Sequence, residues 1–183
     1  MRDQLGDKIS LIVDGGQSQV GIESAVLDLT VSPPQVLRPG MIHAESLAAV
    51  IGNLQFPTPI NREPASNPQS PMLRSPGLLQ KHYSPKAKLA VLNWTDDAEL
   101  QRQLVTCHVS RGTCHVIAHT HIPSAENFAR VSVIPHDAAA FARAIYAELH
   151  RCDAAGAGWI IVEAPPESPE WAGIADRLRR AAA

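Results

Sequence analysis

The stretch VDGGQSQVGIESAVLD, residues 13–28, with Arg38 ten residues further on in LRPG, residues 37–40, is the segment around which the rest of the chain is read. An apolar run at residues 9–13 reads as a buried strand leading into Asp14, Gly15 and Gly16, and a glycine pair lets backbone turn sharply and approach a ligand closely. Gly21 then precedes Glu23 and Ser24, and a second apolar run, residues 26–29, carries the chain away. Two strands joined by such a loop put Ser24 at a strand mouth, with its hydroxyl open to a ligand. Arg38 leaves a strand end just before Pro39-Gly40, where its planar guanidinium suits a pair of phosphate oxygens. The bland alternatives are an exposed arginine before a turn, a solvent-facing serine, and carboxylates at Asp14 and Glu23 that fix a turn or an amide.

Working outward, residues 1–52 read as a short α/β piece, with strands at 9–13, 25–29 and 35–37, a type II Pro-Gly turn, and a helix at 44–51. Leu47, Val50 and Ile51 share one face of that helix, and Gly52-Asn53 stops it. Three strands and one helix bury too little area to cover both faces of a sheet, so the segment reads as the tail of something larger. Residues 53–86 shift to linker composition, with Pro57, Pro59, Pro64, Pro68, Pro71, Pro76 and Pro85 favouring extended backbone. Its distal part, SPGLLQKHYSP at residues 75–85, sets His82 and Tyr83 beside Lys81; on the residues alone it is a solvated spacer with one anchored aromatic.

Residues 87–183 alternate strand and helix patterns. Strands are expected at 89–92, 114–118, 131–134 and 159–162. A helix at 96–104 is capped by Thr95, and a second at 137–154 carries a stripe of Ala138, Phe141, Ile145, Ala147 and Leu149 with Gly156 past its end. A closing helix runs over 170–181 with Pro169 in its first turn. Strands separated by helices give a small parallel sheet of doubly wound, Rossmann-like type. No G-x-G-x-x-G accompanies it, so the shape carries no expectation of dinucleotide binding.

Charge and cysteine usage bound the function classes. A net charge of -2 lacks the basic footprint of a nucleic-acid-binding domain. The N-terminus has no apolar leader and no run approaches the roughly 20 apolar residues of a membrane span, so a soluble, intracellular protein is expected. Cys107, Cys114 and Cys152 have no Cys-x-x-Cys spacing, which fits a reducing compartment. His115, His119 and His121 would share a face if their strand continued, but it ends near Ala118 and no carboxylate or cysteine completes a zinc spacing, so no metal site is assigned. The two Thr-Cys-His triplets at Thr106 and Thr113 carry no assignment.

The strings DGG, VGIES, LRPG and SPGLLQKHYSP, in this order and spacing, resemble the second half of the threonylcarbamoyl-AMP synthase family in its two-domain form, with a YrdC-like catalytic domain. The resemblance implies an α/β architecture: residues 1–52 the C-terminal part of a YrdC-like catalytic domain, 53–86 a Pro-rich linker and lid, and 87–183 a Rossmann-like C-terminal domain. It implies a nucleotidyltransferase in the cytoplasm that joins L-threonine, bicarbonate and ATP into threonylcarbamoyl-AMP, with ATP as substrate, Mg2+ in attendance, and tRNA reached only through a downstream transfer enzyme. Arg38, His82 and Tyr83 would contact ATP, Ser24 would hold threonine or nucleotide, and Asp14, Gly15, Gly16 and Gly21 would shape the loop. The family's upstream Lys-x-Arg and Ser-x-Asn motifs are not in their expected place, which implies a chain lacking the N-terminal half of the catalytic domain and weak or inactive alone. Two departures touch fine contacts: Ala25 replaces the family's usual threonine, and Gln80 stands where some relatives carry tyrosine. The alternative from another class is a non-catalytic nucleotide-binding or partner-docking module.

Overall fold

Residues 114–118 are an unbroken apolar run except for His115, and in the computed structural model, which describes residues 6, 8–16, 18–55, 84–109 and 111–183, all five are buried. They form β4 (Cys114–Ala118), an interior strand of a four-stranded parallel sheet with β3 (Lys88–Leu92), β5 (Arg130–Val133) and β6 (Trp159–Glu163), in the order β3, β6, β4, β5. Parallel strands covered on both faces read as continuous rather than alternating apolar sequence, and their side chains divide between two cores. Ile117, Ile160 and Val162 face Phe141, Ile145 and Leu149 of α3 (Ala138–Ala154) and Ile174 and Leu178 of α4 (Ala172–Ala181). Val116, Ala118 and Ile161 face Leu100 and Leu104 of α2 (Asp97–Thr106) on the other side. Helices on both faces of a parallel sheet are the doubly wound arrangement expected.

Three local expectations are corrected. The cap of α2 is Asp96 rather than Thr95: the Asp96 carboxylate accepts from the Glu99 amide at 2.7 Å, and Thr95 instead donates its amide and hydroxyl back to the Glu99 carboxylate. Both residue types suit a cap, and the reciprocal bond from Glu99 to Thr95 selects the later start. Ala147 is exposed, because two residues beyond Ile145 the helix has turned about 200°. Buried Glu148 takes the place beside Leu149, neutralised by Arg130 at 3.0 Å and Arg151 at 2.8 Å. The closing helix starts as a tighter turn, Pro169–Trp171, before α4.

The earlier segment is built differently. β1 (Val26–Asp28) and β2 (Gln35–Arg38) pair antiparallel, and α1 (Ala44–Ile51) follows. Residues 9–13 form no strand; Leu11 is 77% and Val13 81% exposed, because an apolar run becomes a strand only beside a hydrogen-bonding neighbour and none lies there among the described residues. The Leu47, Val50, Ile51 face is not buried either, with Val50 87% exposed. Leu54 is buried and Gln55 exchanges backbone bonds with the Pro34 carbonyl and Val36 amide at 2.8 and 2.9 Å, so the chain stays attached to β2 through residue 55.

The segment leans on the parallel domain. Ile22 belongs to the core under α3 and α4. A Cβ at Gly21 would overlap the Ala142 carbonyl of α3, so only glycine permits this approach. At Gly173 of α4 a Cβ would stand 2.9 Å from the Gly40 carbonyl and from Ile22 Cδ1, so helix and LRPG turn meet backbone to backbone.

Candidate functional site

Antiparallel pairing sets Val26 opposite Arg38, with an irregularity between Val26 and Leu27. That register brings Arg38 back beside Ser24, and its Nε donates to the Ser24 carbonyl at 3.2 Å. Gly40 explains the end of LRPG: a Cβ there would overlap the Ala25 amide, so glycine lets the turn close against residues 24–25. Ser24 is exposed and Arg38 half-buried on one edge. Asp14 serves its own turn, accepting from the Gly16 amide at 2.8 Å, with Gly16 at φ 84 in the left-handed region. Gly15 and Gly16 are exposed, whereas Gly21 is turned to α3. His82, Tyr83 and Gln80 lie outside the described residues.

Residue 23 is held from the other domain. Arg177 of α4, 4% exposed, donates from Nε to Glu23 Oε2 at 2.5 Å and from Nη2 to the Glu23 backbone carbonyl at 3.1 Å. The Tyr146 hydroxyl of α3 reaches the same carboxylate at 3.2 and 3.4 Å. Arg177 Nη1 also meets Asp176 at 2.9 Å. With Glu23 engaged by these groups and Asp14 by its own turn, neither is arranged as an Mg2+ ligand, and no step is assigned to that ion through this chain.

A second group of polar side chains gathers at the carboxyl ends of the parallel strands, where open α/β sheets place their ligands. Glu163, at the end of β6, is 2% exposed and accepts from the amides of His119, Thr120 and His121 at 2.7, 2.8 and 3.0 Å, and from His121 Nδ1 at 2.9 Å. Burial pushes its carboxyl up, but these donors together outweigh burial and hold it below the ordinary value. His119 Nε2 lies 3.2 Å from the Ala164 carbonyl, which can only accept, so that nitrogen carries the proton. His119 Nδ1 is then left to accept, from His136 Nδ1 or the Thr120 hydroxyl, both at 2.8 Å. Burial, opposed by Glu163, holds the His119 imidazole below its usual range. His119, His136 and Trp171 form a tilted ring stack with centroids 5.0 to 5.4 Å apart.

Two hollows flank this region. An apolar slot of about 60 Å³ lies between Pro39, Gly40 and Leu47 and Ala172 of α4. A wider cleft of about 380 Å³ is lined by Met41, His43, His136, Asp137, Glu170 and Trp171, and so is shared by the two segments. Among the described residues neither is lined by Ser24 or Arg38. The three histidines weighed as a zinc set go separate ways: His115 is buried near Arg130 and Glu148, while His119 and His121 attach to Glu163. Glu23, Tyr146, Arg177, His136, Glu163 and Trp171 were not read from sequence as a group. Only the strand-end residues carried a signal there, as polar side chains terminating apolar runs.

Comparison with known proteins accords with this architecture. The family model described as threonylcarbamoyl-AMP synthase, C-terminal domain, matches residues 42–183. The threonylcarbamoyl-AMP synthase of Pyrococcus abyssi is 28% identical over 177 residues, covering 95% of this chain and 49% of its own length. That of Schizosaccharomyces pombe is 29% identical over 98% of this chain and 47% of its own. That of Bacillus subtilis is 40% identical over 87 residues, covering 48% of this chain and 23% of its own. The crystal structure of Pyrococcus abyssi Sua5 complexed with L-threonine superposes with a TM-score of 0.79 at 27% identity, over 99% of this chain and 52% of that one. The chain thus spans about half the length of the two relatives it matches nearly end to end. With the C-terminal-domain model matching residues 42–183, most of this chain, and the fold shared, the chain belongs to the threonylcarbamoyl-AMP synthase family.

Proposed function

We propose that this chain serves formation of threonylcarbamoyl-AMP from L-threonine, bicarbonate and ATP, with release of pyrophosphate, for later transfer to a tRNA adenosine in the cytoplasm. A threonine carbamate oxygen attacks the α-phosphorus, the bond from that phosphorus to the bridging oxygen breaks, and pyrophosphate leaves. Such a step asks the protein to align the partners and to stabilise charge gathering on phosphate oxygens. Arg38 supplies a guanidinium fork for those oxygens and Ser24 a hydroxyl for threonine or nucleotide, with His82 and Tyr83 as further contacts for ATP. Residues 1–52 are the downstream part of the catalytic domain and residues 87–183 the domain that braces it.

The observation that supports this reading is the Arg38 Nε bond to the Ser24 backbone carbonyl, which brings these two residues together. The catalytic shell on this chain is taken as partial, Leu11 and Val13 being exposed without a strand partner among the described residues. The isolated chain is therefore expected to bind nucleotide while turning over poorly.

Pyrophosphate release in the presence and absence of threonine and bicarbonate measures turnover, and calorimetry with α,β-methylene-ATP measures binding. Binding that Arg38→Ala weakens by about tenfold or more supports the reading, that being the scale of a lost charge-assisted phosphate contact. Robust turnover by this chain alone overturns the partial-shell part of it. No nucleotide binding at all replaces it with a docking module.

A further inference from the structure

Two successive peptides are held at their carbonyls, that of residue 23 by Arg177 and that of residue 24 by Arg38. One grip comes from the site's own sheet, the other from α4 of the parallel domain. Buried Arg177 also faces Asp176, 2.9 Å away. Asp176 in turn is shared with Arg179 at 3.2 Å and Arg180 at 2.8 Å. That one carboxylate faces three guanidinium groups, so Glu23 supplies the second carboxylate beside buried Arg177, which reaches both its side chain and its main chain. Tyr146 meets the same carboxylate from α3, so two helices converge on the residue before Ser24. A guanidinium holding a carboxylate and the adjoining carbonyl at once fixes direction as well as distance, which a single-point contact does not.

We propose that Arg177, assisted by Tyr146, is a positioning residue for the nucleotide and threonine site: it sets the orientation of the 23–24 peptide, and so the geometry in which Ser24 and Arg38 are presented to ligand. This rests on the reading of Ser24 and Arg38 as ligand groups. It gives the parallel domain a part in the chemistry without any contact with the reacting atoms. Preorganised groups bind more tightly because less ordering remains to be done on association.

The test is calorimetry on the full chain with α,β-methylene-ATP at 25 °C, each variant first shown to be folded by far-UV circular dichroism. Arg177→Gln weakens binding by about tenfold, Arg177→Lys by less because it keeps the charge beside Glu23 but loses the second donor, and Tyr146→Phe by about two- to fivefold. A brace with no positioning role lowers the melting temperature of these variants and leaves their affinity at 25 °C unchanged. The two conservative variants, Arg177→Lys and Tyr146→Phe, carry the test should Arg177→Gln fail to fold. Affinities within twofold of the unaltered chain in the folded variants, with Arg38→Ala still damaging, overturn the positioning role and leave the nucleotide site standing. An Arg38→Ala variant that binds normally, or an unaltered chain that binds nothing, overturns the site and this inference with it.

Discussion

The two ends of the molecule solve the problem of stability in opposite ways. In the parallel domain every residue of β4 is buried, α2 and α3 are capped by the Asp96 and Asp137 carboxylates, and two apolar clusters cover the two faces of the sheet. In the earlier segment α1 buries no residue, its cap His43 makes no side-chain bond, and Leu11, Val13, Val20 and Val50 are exposed. One region is held by apolar area removed from water. The other is held by a neighbour, through Ile22, two glycine contacts and an ion pair with Arg177. The lesson is that a segment with little core of its own can depend for its shape on the domain beside it.

The largest effect that tests this contrast comes from the parallel domain. Phe141 is fully buried and packs edge-on against His119 and Trp171, so Phe141→Ala is expected to cost about 3–5 kcal/mol and to unfold both regions together in urea. Gly21→Ala comes next, because its methyl meets backbone rather than a movable side chain; a cost of about 1–3 kcal/mol is expected, with the earlier segment undocking first. Hydrogen exchange should then show lost protection in residues 24–38 and unchanged protection in β4 and β6. Equal losses in both regions would mean that they are one cooperative unit.

Acidification sharpens the contrast, since the perturbed buried groups lie in the parallel domain. His119 and His115 are held below the ordinary imidazole value of 6.5, mainly by burial. The unfolded chain therefore takes up protons that the fold refuses, and stability falls as pH drops below about 6.5. Glu163 and Glu148 are held below the ordinary 4.5, because donors around them outweigh burial. Their contribution is present above 4.5 and is lost as pH falls through their lower folded values. Melting temperature against pH should show both declines, and Glu163→Gln should remove the Glu163 share of the second. The smallest effect is expected at Val50→Lys on the uncovered face of α1, within about 0.5 kcal/mol; a loss well beyond that would show that this face is covered in solution.

How much of this could be read beforehand follows the same division. The parallel strands were legible to within about a residue, because burial on both faces writes itself as an apolar run, and the helix at 44–51 was placed by its period and its terminal glycine. The run at 9–13 looked the same yet is no strand, since a strand is a property of a pair. Ala147 does not belong to the apolar stripe, because it stands about 200° round the helix from Ile145. The contact of Arg38 with the Ser24 carbonyl was not legible, because the two strands were expected without their pairing. The grip of Arg177 on Glu23 was not either, because it joins residues 154 apart in sequence and exists only once two helices and a loop have packed.

The sheet order has a consequence for synthesis. Among the described residues β6 is the last strand in sequence, yet it lies between β3 and β4 and is the only hydrogen-bonded neighbour β3 has in the sheet. As the polypeptide emerges from the ribosome, β3 and β4 leave a vacant lane between them that nothing fills until residues 159–163 arrive. Vectorial folding of this domain is therefore deferred: the sheet closes in one late event, and the edge bearing Ser24 acquires its support only after Arg177 has followed.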